Sequence, residues 1–439
     1  MKHRVRMNYR VGVAAVAALA ALGGLAACGG SSSGGGSTGG SASPSAASNA
    51  ATGSPLIVGQ MVPVGTAQVD YGGAVAAARA AIRQINATGG IDGHPLKLDY
   101  CNEQNNANTA AACARRFVQE GAVAMSGGEV SITGEAQVAA ITGKAGLAMV
   151  GDNALSAWVT APNEFPTVLY IPSVFADMPA CNKLGYNKVV ITANENVFGQ
   201  TFTKWLSDTA NKIQGMQVLT GDKAIIFSST ATDVTAPTKA VLDKHGDCID
   251  ATGVFPQQEI LMLKSLNSLG ADPSTTHVIY GTAGADPAQL KQVAPLAAKY
   301  LIGVSMFPPL SEASKYKTLQ AFIDEMEAEK AAGDSQAFDV SNGVAVRDGY
   351  FMAWLSLHAL ADVMRQEHAT TRAAVLNAMK TVKNVQIADF LPPWTPTTPG
   401  PTKGYPHLPY TSYWVIGYNN DLSTKLLTPD PIDARPYIQ

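Results

Sequence analysis

The sequence predicts an α/β protein of two lobes, each a doubly wound parallel sheet covered by helices, and three observations carry that prediction. Short apolar runs of strand length alternate with longer runs in which apolar residues recur every three or four positions. That alternation occurs in two consecutive series, one before and one after about residue 171. Finally, a 439-residue chain exceeds what a single hydrophobic core usually serves.

Leu56-Ile57-Val58-Gly59-Gln60-Met61 reads as a buried strand, and Pro63 to Gly73 as a turn-rich loop. Val75, Ala78, Ile82 and Ile85 then form one apolar helical face, and Gly89-Gly90 ends the helix before a strand beginning at Leu96. A helix from Thr109 to Glu120, a strand Ala122 to Met125, a helix from Gly134 to Thr142 and a strand Ala148 to Val150 complete the first series. The second runs helix Ala176 to Leu184, strand Val189 to Thr192, helix Phe198 to Ile213, strand Ala224 to Phe227, helix Pro237 to His245 and strand Ile249 to Val254. It closes with helix Gln258 to Leu269, strand His277 to Tyr280, helix Pro287 to Lys299 and strand Leu301 to Ser305. Alternation of this kind predicts parallel strands with helices on both faces, because each crossover helix returns the chain to the same end of the sheet. Beyond Phe307-Pro308-Pro309 come helices Asp348 to Arg365 and Arg372 to Val382, a Pro- and Thr-rich stretch from Phe390 to Pro409, and a late strand Tyr413 to Tyr418.

Ahead of this body the chain carries an address and a tether. Lys2, Arg4, Arg6 and Arg10 precede an uncharged apolar run from Val11 to Ala27, shorter than a membrane-spanning helix prefers. The run ends Leu25-Ala26-Ala27-Cys28, which resembles the lipobox at which bacteria attach diacylglycerol to the cysteine and cleave before it. Residues 1–27 are therefore expected to be a lipoprotein signal peptide, with Cys28 the lipidated start of the mature chain. Residues 28–54 are almost wholly Gly, Ser, Ala, Thr, Asn and Pro, which cannot build a core and read as a flexible tether. The expected location is extracytoplasmic, anchored to the cell membrane.

The whole chain has 31 basic and 34 acidic residues, and loss of the four basic residues of the leader leaves 27 against 34, a net of −7 that disfavours nucleic acid as a partner. With Cys28 lipidated, Cys101, Cys113, Cys181 and Cys248 remain as an even set in an oxidising compartment. Three pairings are open; proximity in sequence favours Cys101 with Cys113 and Cys181 with Cys248. No Cys-x-x-Cys spacing suggests zinc, and no metal or cofactor is expected.

The order of motifs resembles the branched-chain amino-acid binding proteins of ABC transporters, which have the type I periplasmic-binding fold. The resemblance rests on Ile57-Val58-Gly59 followed by Tyr71-Gly72-Gly73, on the turn Ile85-Asn86-Ala87-Thr88-Gly89-Gly90-Ile91-Asp92-Gly93, on Gly127-Gly128, and on Val197-Phe198-Gly199. It implies two lobes joined by a three-crossing hinge, lobe one from 55–170 and 305–365 and lobe two from 171–304 and 366–439, closing on a small molecule.

The resemblance also directs attention to particular residues. The family holds its ligand's carboxylate with a hydroxyl and backbone N–H groups at a strand end, where this chain has Ser131, although Glu129 beside it would repel a carboxylate. The next strand end offers Asp152 and Asn153, and lobe two offers Phe255 and Gln257. Thr282 lies in the stretch Gly281 to Gly284 where the family places an acid for the ligand's ammonium, and no acid is present there. Tyr71 and Phe198 are candidate wall residues. This inventory of acceptors and amides suits a neutral or cationic polar solute better than an aliphatic amino acid.

From residue 55 onward there is no Gly-x-Ser-x-Gly elbow, His-Glu-x-x-His or phosphate loop, which disfavours an extracellular hydrolase. His358, within an apolar helix, reads as a packed histidine rather than a ligand contact. The expected role is a monomeric binding protein that hands its solute to an ABC permease; a receptor that senses the solute without transport is the alternative.

Overall fold

The computed structural model describes residues 51–66, 70–128, 134–151, 160–281 and 287–439. The first sheet holds β1 (Leu56–Met61), β2 (Leu96–Cys101), β3 (Ala124–Ser126), β4 (Ala148–Val150) and β5 (Glu164–Phe165), in the order β2-β1-β3-β4-β5 with every pairing parallel. Strand β1, LIVGQM, is apolar but for buried Gln60, whose amide donates to Ala74 O (3.0 Å), because its central place buries both faces, whereas edge strand β2, LKLDYC, alternates and stays half-buried. Helices α1 (Gly72–Ala87), α2 (Ala107–Gln119) and α3 (Glu135–Ala145) connect these strands. The Asn106 side chain caps α2 by accepting from the N–H groups of Asn108 and Thr109.

The second sheet holds β6 (Lys188–Ala193), β7 (Gln217–Val218), β8 (Ile225–Ile226), β9 (Cys248–Gly253), β10 (His277–Gly281), β11 (Leu301–Ser305), β12 (Ser412–Tyr418) and β13 (Thr424–Leu426), ordered β13-β12-β11-β10-β9-β6-β7 with β8 beside β6. Strands β6 to β11 pair in parallel, and β12 joins β11 antiparallel, with short β14 (Ile432–Asp433) beyond it. Its helices are α4 (Val174–Lys183), α5 (Val197–Ala210), α6 (Thr235–Leu242), α7 (Pro256–Ser268) and α8 (Ala294–Tyr300). The helix expected from Pro287 to Lys299 is broken by a 3-10 turn at Lys291–Val293. Pro295, in the first turn of α8, lacks an N–H and cannot continue a helix from upstream.

Two parallel sheets thus confirm the two-lobed α/β architecture. The chain passes between them three times: through 166–170, after β11, and again before β12. Helices α9 (Lys317–Ala331) and α10 (Asp348–Gln366) pack on α1 of the first lobe. Close packing of α1 and α10 explains the alanine-rich sequence of α1, since a Cβ on Gly73 would come within 2.3 Å of the Tyr350 ring.

Past residue 366 the chain first packs again on the first sheet. Helix α11 (Arg372–Thr381) lies against β3 and β4 of the first sheet and buries Val375, Ala378 and Met379. Arg372 fixes it there by donating to the carbonyls of Ala122 (2.8 Å) and Val118 (2.9 Å). The chain therefore stays with lobe one until the stretch after α11, which covers the hinge: Trp394 Nε1 donates to Pro166 O (2.9 Å) and the Tyr413 hydroxyl to Leu169 O (3.0 Å), both in buried surroundings.

The structure joins Cys101 to Cys113 and Cys181 to Cys248, the favoured pairings. Each bridge links a strand to a helix within one lobe, β2 to α2 and α4 to β9.

Candidate functional site

In open α/β sheets the loops beyond the carboxyl ends of the strands are the natural ligand site. Three parts of the chain meet there. Tyr71, directly before α1, lies with its ring under the Arg347 guanidinium, Cζ 4.5 Å from the ring centroid. Arg347 directly precedes α10, and the chain is pinned on either side of it. The Ala345 N–H donates to Leu422 O in the second lobe (2.8 Å), while the Asp348 carboxylate accepts from Ser305 Oγ (2.8 Å) and the Met306 N–H (2.7 Å) just beyond β11.

The third part is Tyr280, near the end of β10, whose hydroxyl donates to Val254 O (3.0 Å). Burial pushes this phenol well above its ordinary pKa; Tyr170 and Glu259 add to the rise, Arg347 opposes it, and Tyr71 adds a little. Tyr71 from lobe one, Tyr170 and Arg347 from the crossings, and Glu259 from lobe two thus all act electrostatically on Tyr280.

Lobe two presents its strand ends through a small polar frame. Asn194, just past β6, accepts from the Phe255 N–H (2.6 Å) and donates to Phe227 O, holding the ends of β6 and β9 and the residue after β8 together. Asn196 caps α5 by accepting from the Gly199 N–H (2.8 Å). Glycine is required at 199, because a Cβ there would meet Asn194 O at 2.1 Å. The N-termini of α5 and α7 consequently lie at the same end of the sheet.

Beneath β10 lies a buried acid pair. The Gly281 N–H donates to Thr252 Oγ1 (2.6 Å), that hydroxyl donates to Asp177 Oδ2 (2.7 Å), and the Thr252 N–H donates to Asp250 Oδ1 (3.0 Å). Asp177 Oδ1 and Asp250 Oδ2 accept nothing among the described residues, and neither side chain reaches solvent. Burial raises both carboxyl pKa values, Asp250 to about 7 against the pull of the Thr252 N–H, and the charge of Asp250 raises Asp177 further.

Of the residues singled out from sequence, Tyr71 joins the cluster with Arg347. Phe255 is half-buried directly before α7, and Gln257 in the first turn of α7 is exposed. Phe198 falls in the first turn of α5, with its side chain outside the described part. Glu129, Ser131, Asp152, Asn153 and Thr282 lie outside the described residues, as does Cys28. His358 is packed in lobe one, its Nε2 2.9 Å from Glu325 Oε2 and its ring beside Trp354. Sequence reasoning missed Arg347, Tyr170, Glu259 and Tyr280; the contact of Arg347 with Tyr71 spans 276 positions, and no local pattern marks it. Among the described residues no three His, Cys, Asp or Glu side chains cluster to hold a metal, and no helix is long and apolar enough to cross a membrane.

Comparison with known proteins agrees with the architecture. A search of curated proteins by sequence finds no match. Among solved structures, an extracellular ligand-binding receptor from Verminephrobacter eiseniae is similar with a TM-score of 0.68 at 13% identity, covering 85% of this chain and 100% of the other. A fatty acid ABC transporter substrate-binding protein from Thermomonospora curvata gives 0.66 at 12% identity, covering 88% and 94%. The branched-chain amino acid transporter substrate-binding protein of Streptococcus pneumoniae, in complex with isoleucine, gives 0.63 at 16% identity, covering 86% and 99%. At such identities the likeness establishes the fold. The periplasmic binding protein model matches residues 56–405, most of the chain, and with two parallel sheets joined by three crossings this chain belongs to the periplasmic binding protein family.

Proposed function

We propose that this protein is an extracytoplasmic solute-binding protein that captures a small polar organic solute between its lobes by hinge closure and delivers it to an ABC permease, held at the membrane through lipidated Cys28. The observation that carries the reading is the contact of Tyr71, from one lobe, with Arg347, on a crossing whose neighbour Ala345 is bonded to Leu422 of the other lobe, at the carboxyl ends of the strands. A ligand bound there touches both lobes and stabilises the closed form by its differential contacts. Delivery to a permease is supported by the similarity to substrate-binding proteins of ABC transporters.

The test is small-molecule retention. Purified full-length protein is incubated with a bacterial metabolite extract and desalted, and the bound molecules are released by denaturation and identified by mass spectrometry. One or a few compounds retained in near-stoichiometric amount are expected. Retention of nothing above a heat-denatured control would defeat the binding reading.

A further inference from the structure

We propose that the proline-rich stretch 383–411 is a brace that couples the three crossings, with Trp394 and Asp389 as its clasps, so that the lobes open and close as one concerted motion whose rate the clasps set. This deepens the hinge-closure reading given above and rests on it for its role in binding, while the coupling itself is measurable without a ligand.

The stretch is stiff by composition and by its own bonds. Seven of the chain's 25 prolines fall within it, and each fixes one backbone angle. Val385 and Trp394 exchange backbone bonds, Val385 N to Trp394 O at 2.8 Å and Trp394 N to Val385 O at 2.6 Å. The Tyr410 hydroxyl donates to Pro392 O (2.6 Å), tying the far end of the stretch back to its middle.

Each crossing is then gripped in a different way. On the first, Trp394 Nε1 donates to Pro166 O (2.9 Å) from a fully buried indole, and the Tyr413 hydroxyl, near the start of β12, donates to Leu169 O (3.0 Å). On the second, the Asp389 carboxylate accepts from the N–H groups of Lys317 (2.6 Å) and Thr318 (3.3 Å), which open α9, and the Asp389 N–H donates back to Thr318 Oγ1 (3.1 Å). Beside that clasp the Tyr316 ring meets Phe390 of the brace edge-on, centroids 5.8 Å apart, and Trp414 of lobe two at 6.3 Å. The third crossing is the brace itself, running from α11 on lobe one to β12 in lobe two. Hinges work by changing φ and ψ at a few crossing residues. With the carbonyls of 166 and 169 and the amides of 317 and 318 tied to one stiff segment, no crossing turns alone without leaving a buried carbonyl or a helix N-terminus unpaired.

Hydrogen exchange of the full-length protein, read by mass spectrometry, tests coupling from one clasp to the other. Trp394→Phe and Tyr413→Phe each remove a donor from the first crossing, and both are expected to speed exchange roughly tenfold at Lys317 and Thr318 on the second. Asp389→Ala cuts the second and should speed exchange at Val385 and Trp394, whereas Asp389→Asn, which keeps an acceptor, should resemble wild type. Tyr300→Phe removes a like bond, to Ala271 O inside lobe two, and should leave all these amides unchanged. In the retention assay, compounds should leave Trp394→Phe, Tyr413→Phe and Asp389→Ala several-fold faster than they leave Tyr300→Phe. Melting temperatures verify folding, and exposed Asp389 supplies the deciding variant if Trp394→Phe does not fold. Exchange that rises only in the segment each substitution touches, or release no faster than from Tyr300→Phe, would overturn the brace while leaving solute binding intact. Retention of nothing by wild type would remove the binding reading, and the exchange measurement would still decide the coupling.

Discussion

At the scale of single residues, the Asp177 and Asp250 pair makes the sharpest demand. In the unfolded chain an aspartate ionises near its ordinary value of about 3.9, whereas in the folded protein Asp250 holds its proton to about 7 and Asp177 is raised as well. Between those limits the folded state binds more protons than the unfolded state. The stability this provides is fully present below the unfolded pKa and is lost as pH rises through the folded one. Asp250→Asn keeps an oxygen for the Thr252 N–H and removes the ionisable group. We expect it to stabilise the protein by about 1–3 kcal/mol at pH 8, with little gain at pH 4, and to flatten the pH dependence. Urea titrations of both proteins across that range decide the matter; parallel curves would show that the pair is not protonated in the native state. Neither acid was distinguishable from an exposed one in sequence, because burial was conferred by α4 packing on β9.

Elements were more legible than residues. The strands of the parallel sheets and the helices between them follow from apolar period and glycine punctuation, and most were foreseen within two or three positions. The elements that escaped are helix α9, to which the sequence reading gave no bounds, and two- or three-residue edge strands such as β5, β7 and β14, too short to show a period. Their pairing comes from neighbouring strands rather than from their own sequence. Disulfides belong to this scale, since each ties a strand to a helix. The Cys181–Cys248 bridge spans 67 residues and the Cys101–Cys113 bridge 12. Loop-closure entropy then makes the longer bridge worth roughly 1.5 kcal/mol more, within the ~2–4 kcal/mol typical of a native disulfide. We therefore expect Cys181→Ala/Cys248→Ala to lose more stability to denaturant than Cys101→Ala/Cys113→Ala. Equal losses would mean that native packing at the bridges, rather than restriction of the unfolded chain, sets their value.

For the whole molecule, the sequence makes a prediction about where the protein resides. If Cys28 is the only attachment, Cys28→Ala should move the protein from the detergent phase to the aqueous phase on phase partitioning, because acylation supplies the apolar surface that binds the bilayer. A variant that still partitions into detergent would point to another anchor.

The division between the two sources of information follows from distance along the chain. By itself the sequence determined the α/β class, the two-series organisation and the favoured cysteine pairs, because periodicity and short separations are local properties. Which sheet α11 covers is not written in its own sequence, since an amphipathic helix looks the same on either; its packing on β3 and β4, with Val375 and Met379 buried, sets it against the first sheet. The sequence also left Arg347 unremarked at a helix start. Tertiary structure alone brought that guanidinium over Tyr71, 276 positions away, because the proximity of residues so far apart is fixed by sheet packing and hinge crossings.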